Sequence, residues 1–200
     1  MPVRPLDLGV AVRKLPHEAE SGDLYFFQQL PDSILLAVID GLGHGPEAAL
    51  AARAAARILA TFPEKPVKSL FELCHEELKK TRGVVMTLAA FNTTRKTMTW
   101  LGVGNVEAVL LSANPALKPA SKSLLLRPGI IGYQIPHLSE SVVPVSIGDT
   151  LILATDGINF NFVPEINVHN PTQQIADQIL AGYCKGYDDA MVLVARYQEG

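Results

Sequence analysis

Cysteine is scarce in this chain, two in 200 residues. Cys74 and Cys184 have neither the spacing of a metal motif nor the number needed for a disulfide framework. A reduced, cytoplasmic setting is the reading that follows. Charge of one sign is also lacking. The net charge of −3 leaves no electrostatic footprint for nucleic acid. Long apolar runs are missing too, because Asp, Gly or Pro interrupts the most apolar stretches well short of membrane length. The start, Met1-Pro2-Val3-Arg4-Pro5, has no apolar core of the kind a signal peptide needs. Neither nucleic acid nor a membrane is therefore an expected partner. No internal repeat or low-complexity segment occurs. The length suits one well-buried core, and a single domain spanning residues 1–200 is expected.

The chain is richer in acids set at strand ends. In Ala37-Val38-Ile39-Asp40-Gly41-Leu42-Gly43-His44-Gly45 an apolar run stops on a carboxylate, and a glycine-rich turn leads into an alanine-rich helix. Backbone of this kind can approach a small ligand closely. Asp156-Gly157 follows the apolar run from Thr150, Asp188-Asp189 precedes the run from Ala190, and Asp23 opens the strand-like Leu24 to Leu30. Four such sites suggest a cluster of hard oxygen ligands. Each acid alone could equally end a strand or open a turn.

Strand patterns are read at Leu6 to Lys14, Leu24 to Leu30 and Ile34 to Ile39, the last two joined by Pro31-Asp32-Ser33 with hairpin chemistry. Pro46 and Glu47 suit the first turn of a helix through Ala60. A second helix is predicted over Val67 to Lys80, with Leu70, Phe71, Cys74 and Leu78 on one stripe. Further strands are predicted at Val84 to Phe91, Thr97 to Val103, Val106 to Ser112, Ser123 to Leu126, Val142 to Val145 and Thr150 to Ala154. A helix over Gln173 to Tyr183 and a strand over Ala190 to Tyr197 finish the series. The order lacks regular βαβ alternation. It argues for an α+β fold with largely antiparallel sheets covered by helices.

The ordered set Asp40-Gly41, Gly43-His44-Gly45, Thr155-Asp156-Gly157 and Asp188-Asp189 resembles the metal-dependent protein phosphatases of the type 2C (PPM) fold. With Gly22-Asp23 and the compact size, it looks most like their SpoIIE-type branch, and within that the small stand-alone phosphatases of the stressosome. The resemblance implies a four-layer α-β-β-α sandwich of two mainly antiparallel sheets flanked by helices. It also implies two Mn²⁺ or Mg²⁺ ions in a cleft at one edge. Position by position, Asp40 would bridge the ions, and the Gly41 carbonyl and Asp23 would serve the first. Asp156 and Asp188 would serve the second, with Asp189 behind them or as an alternative ligand. Met191 departs from the Thr or Ser usual near that position, which puts one local hydrogen bond in question. The implied activity is a serine/threonine protein phosphatase acting through a metal-bridged hydroxide. Its implied partners are phosphorylated STAS-domain proteins of the stressosome or of anti-sigma antagonist type.

Elementary chemistry agrees with that resemblance. Aspartates without a Cys or His cluster suit Mg²⁺ or Mn²⁺ better than zinc. Two such ions about 4 Å apart can ionise a water and hold phosphoryl oxygens. Other phosphatase chemistries find no support: Cys74 has Lys80 rather than Arg six residues on, and neither Asp-x-Asp nor GxxxxGK[ST] occurs. His44 is either a catalytic general acid to the leaving oxygen or a residue that packs or caps at the helix start. Glu18 and Glu20 compete with Asp23 for its role. Asn105 reads as turn-stabilising, Thr87 as core, and Arg127 as either a phosphate guide or a solvated side chain. Two rivals remain open: a catalytically silent phosphoprotein-binding module, and a hydrolase of small phosphate esters.

Overall fold

The computed structural model describes residues 5–114, 116 and 119–198. One sheet holds β2 (Asp23–Gln29), β3 (Ser33–Gly41), β4 (Val84–Asn92), β5 (Thr97–Val103) and β8 (Ser141–Pro144), in that order. The other runs β1 (Leu6–Arg13), β10 (Ala190–Tyr197), β9 (Thr150–Ala154), β6 (Glu107–Leu111) and β7 (Ser121–Ser123). Every strand pair is antiparallel. Helices α1 (Gly45–Thr61) and α2 (Val67–Leu78) cover the first sheet, and α3 (Thr172–Tyr183) covers the second. The result is the expected α+β sandwich in four layers.

Alternation along the strands builds three cores. In β3, Ile34, Leu36 and Val38 face the other sheet, while Leu35, Ala37 and Ile39 face the helices. A strand buried on both faces must read as one continuous apolar run, and this one does. The alanines of α1 let that helix lie close on the sheet. A Cβ added at Gly41 would stand 2.0 Å from the Ala48 carbonyl oxygen. In α3, Ile175, Ala176 and Ile179 pack on Val192 and Val194 of β10.

Two local expectations differ from the structure. The strand expected at Ser123 to Leu126 is instead Ser121–Ser123. Beyond it the chain leaves the β6 edge and crosses to the other sheet, where the Gly104 N–H donates to the Arg127 carbonyl at 2.9 Å. A short 3-10 turn, Val163–Glu165, has no counterpart in the sequence reading. Pro31-Asp32-Ser33 does make the hairpin, with the Leu30 N–H bonded to the Ser33 carbonyl at 2.8 Å. No helix among the described residues is long and apolar enough to cross a membrane.

Candidate active site

Antiparallel pairing brings the acid-bearing strand ends to one end of the sandwich. Asp23 begins β2 and Asp40 lies near the end of β3, and the two are direct cross-strand partners. Both share the face of β3 that carries Val38, which looks toward the second sheet. Like charges directly opposite each other destabilise a hairpin, so this pairing calls for a bound proton or a cation. From the second sheet, the end of β9 supplies Thr155 and Asp156, and the start of β10 follows Asp188 and Asp189. The Thr155 hydroxyl ties the two groups together. It donates to Asp23 Oδ2 at 2.8 Å and accepts the Met191 N–H at 2.9 Å. The main chain of Met191 thus makes a bond here with no hydroxyl side chain of its own.

Burial and mutual repulsion hold the acids far from their ordinary state. Burial pushes the Asp40 carboxyl up to about 9, and Asp23, Asp156, Asp188 and Asp189 add repulsion. Asp23 rises to about 7, again mainly through burial, against the Thr155 hydrogen bond that favours its charged form. Asp156 is raised by burial and by Asp188, while Lys185 and the Asn105 amide act the other way. Asn105 was read as a turn residue. Its Nδ2 in fact donates to Asp156 Oδ2 at 2.7 Å, which makes it part of the site. Thr155 and Asn105 are the residues that sequence reasoning missed. Thr155 stood beside Asp156 in the motif, but only the packed sheets show what its hydroxyl holds.

Asp189 is almost fully buried, and both its oxygens are taken up by main chain. Oδ1 accepts the Leu15 N–H at 2.8 Å and Oδ2 the Gly22 N–H at 2.7 Å. It pins both ends of the loop between β1 and β2. Asp188 is half-buried, and its Oδ1 accepts the Asp189 N–H at 2.9 Å. Gly41 is buried at the end of β3, where its N–H bonds the Gly22 carbonyl at 3.0 Å.

The competing acids are occupied elsewhere. Glu18 Oε1 lies 2.5 Å from His44 Nδ1, and Glu20 pairs with Arg53. His44 occupies the N-cap position of α1 without a side-chain cap bond, and its side chain is 61% exposed. It neither packs nor caps. Thr87 is core, as expected, with its hydroxyl donating to the Val106 carbonyl at 2.6 Å. Arg127 lines a separate cavity of about 550 Å³ with Trp100, Lys122 and Ser141, none of the clustered aspartates among its walls.

Carboxylate oxygens from both sheets, gathered where burial and repulsion resist their charge, are the donor chemistry that a hard divalent cation takes. Among the described residues, no three His, Cys, Asp or Glu side chains close into a ready-made cage.

The model of the family Stage II sporulation protein E (SpoIIE) matches residues 31–198. The phosphoserine phosphatase RsbX of Bacillus subtilis (strain 168) is 27% identical over 172 residues, covering 84% of this chain and 82% of the relative. A solved chain from work on the bacterial stressosome, described as a modular system adapted to control secondary messenger signaling, superposes with a TM-score of 0.88. It is 32% identical and covers 96% of this chain and 100% of its own. A crystal structure of RsbX in complex with magnesium superposes at 0.85, with 22% identity and 96% of each chain covered. The acids of β2 and β3, the one that follows β9 and the pair that precedes β10 gather at one end of this sandwich, and the chain belongs to the SpoIIE family.

Proposed function

We propose that this protein is a Mn²⁺- or Mg²⁺-dependent phosphatase of phosphoserine and phosphothreonine in proteins. Its substrates are phosphorylated STAS-domain proteins of a stressosome or sigma-factor partner-switching system. The observation that carries this reading is the Asp23–Asp40 cross-strand pair, faced by Asp156, Asp188 and Asp189 across the sandwich. A folded protein keeps such an arrangement at a cost in stability, and perturbed carboxylates of this kind mark functional sites. Family membership, and a relative named as a phosphoserine phosphatase, support the reaction class. The stressosome neighbour supports the partner class.

Asp40, Asp23, Asp156, Asp188 and the Gly41 carbonyl are the groups that would hold two cations. When bound, such ions supply Lewis acidity toward the phosphoryl oxygens and lower the pKa of a coordinated water. The chain's own contribution is placement and charge. Asp40 stands opposite Asp23 at the centre of the cluster. Thr155 and Asn105 orient Asp23 and Asp156 through one hydrogen bond each. Asp189 fixes the loop that ends at Gly22-Asp23. Glu18 engages Nδ1 of His44, so in a general-acid role Nε2 would be the nitrogen that protonates the leaving serine or threonine oxygen.

The deciding experiment is dephosphorylation of a phosphorylated STAS-domain protein, run beside p-nitrophenyl phosphate, with Mn²⁺ and then with a chelator. Turnover of both that vanishes in chelator is the expected result. Silence on both substrates despite metal binding would leave only a phosphoprotein-binding module. A preference for the small ester would point to a metabolite hydrolase. If His44 is the proton donor, His44→Ala slows poor leaving groups more than p-nitrophenolate; equal effects on both would remove it from that role.

A further inference from the structure

Most cationic side chains around the acid cluster are already engaged. His44 meets Glu18, Arg53 meets Glu20, and Arg82, lying over Gly43, meets Glu47 in the first turn of α1. Lys14 donates to the Glu18 and Ala19 carbonyls. Arg13, beside Gly186, donates to Cys184 Sγ at 3.7 Å. Lys185 is the cation whose charge reaches Asp156. It is exposed, and among the described residues it enters no ion pair.

Its main chain is nevertheless firmly placed beside the site. The Lys185 N–H donates to the Gly157 carbonyl at 2.8 Å. Cys184 bridges to Ile158, and the Asn159 N–H bonds the Tyr183 carbonyl at 2.8 Å. The stretch 183–185 is therefore stitched to the turn 157–159, which begins at Asp156-Gly157. Three residues further on, Asp188 starts the final acid pair. The Lys185 ammonium is close enough to Asp156 for its charge to be felt there, without forming an ion pair.

We propose that Lys185 is a substrate-binding residue whose ammonium receives a non-bridging oxygen of the phosphoryl group. A phosphate ester carries two negative charges at neutral pH and must enter a site walled by aspartates. An exposed cation beside Asp156, in no ion pair among the described residues and carried on backbone bonded to Gly157, offsets that charge and orients the ester. Lysine suits this place as a mobile point charge with three donors. This assignment rests on the phosphatase reading above, but it can be judged by binding alone.

The test is titration of inorganic phosphate into the magnesium-loaded protein by calorimetry, for the wild type, Lys185→Gln, Lys185→Arg and the distant control Lys122→Gln. Loss of one charge-assisted hydrogen bond should weaken phosphate binding about tenfold or more in Lys185→Gln. Lys185→Arg should restore most of it, and Lys122→Gln should match the wild type. KM for p-nitrophenyl phosphate should rise by a similar factor in Lys185→Gln, with a smaller change in kcat. Magnesium affinity should hold or tighten, since a positive charge near Asp156 is removed. A merely structural role would weaken magnesium binding instead. Phosphate binding in Lys185→Gln equal to wild type would overturn the assignment. Phosphate binding that depends on Lys185, in a protein that hydrolyses neither ester nor phosphoprotein, would uphold it while removing the phosphatase reading.

Discussion

Asp40 carries the largest electrostatic cost among the site residues, and its consequences are measurable one residue at a time. Its carboxyl is pushed from 3.8 in water up to about 9 by burial and by four neighbouring acids. Below the unfolded value the side chain is neutral in both states and costs nothing. As pH rises from there toward 9, the unfolded chain ionises freely while the folded one resists. The metal-free protein should therefore lose stability across that interval. Asp40→Asn removes the penalty. In chelator at pH 8 its thermal midpoint should lie about 3 °C or more above wild type, and at pH 4 the two should coincide. The same substitution should lower metal-dependent turnover by about 100-fold or more, the scale of losing a group that organises transition-state charge. Scanning calorimetry at the two pH values and a steady-state assay check both halves. A variant no more stable than wild type at pH 8 would show that Asp40 ionises without strain. Cys74 illustrates the opposite outcome of burial. Its thiol is pushed up to about 12 on the inner face of α2, so it is an inert core side chain with no chemistry to offer.

At the scale of elements, the site depends on how α1 and the loop between β1 and β2 are anchored. Gly41 ends β3 so close beneath α1 that a Cβ would meet the Ala48 carbonyl oxygen at 2.0 Å. Gly41→Ala must shift the helix and the Asp40 main chain with it, at a cost of about 3 kcal/mol from overpacking. Asp189 is the other anchor, with one oxygen on the Leu15 N–H and the other on the Gly22 N–H. Asp189→Ala should speed amide exchange at Leu15 and Gly22 by about tenfold or more while the β10 amides stay protected. Hydrogen exchange read by NMR checks this, and unchanged protection at both positions would mean that the loop is held by something else. The elements themselves were largely legible beforehand. Thr97–Val103, Thr150–Ala154 and Ala190–Tyr197 agree with expectation to the residue. Continuous apolar runs and proline or glycine punctuation act locally and can be read locally. The short Ser121–Ser123 strand was not legible at its true position, because its extent is set by where the chain leaves β6 for the other sheet. That is a long-range event without a local signature.

For the whole molecule, the acid cluster couples cation binding to proton release and to stability. Raised carboxyls at Asp40, Asp23 and Asp156 must lose protons before they can hold a divalent ion. Magnesium should therefore bind more tightly as pH rises through about 7, and raise the thermal midpoint more at pH 8.5 than at pH 6. Calorimetric titration at the two pH values checks the sign. Affinity that is flat with pH would indicate that the buried acids are not the ligands.

Read alone, the sequence determined which residues carry charge at strand ends, where the turns fall and which helix faces are apolar, because these follow from side-chain chemistry and short-range periodicity. It was enough for the fold class and for naming Asp23, Asp40, Asp156, Asp188 and Asp189 as one set. Only the tertiary structure decided that Asp23 faces Asp40 while Glu18 and Glu20 turn to His44 and Arg53. It likewise decided that Asp189 serves the main chain, that Asn105 and Thr155 belong to the site, and that Lys185 has no ion pair among the described residues. Burial, repulsion and hydrogen-bond partnership between residues distant in sequence, such as Gly22 and Asp189 at 167 positions apart, exist only once the chain is folded.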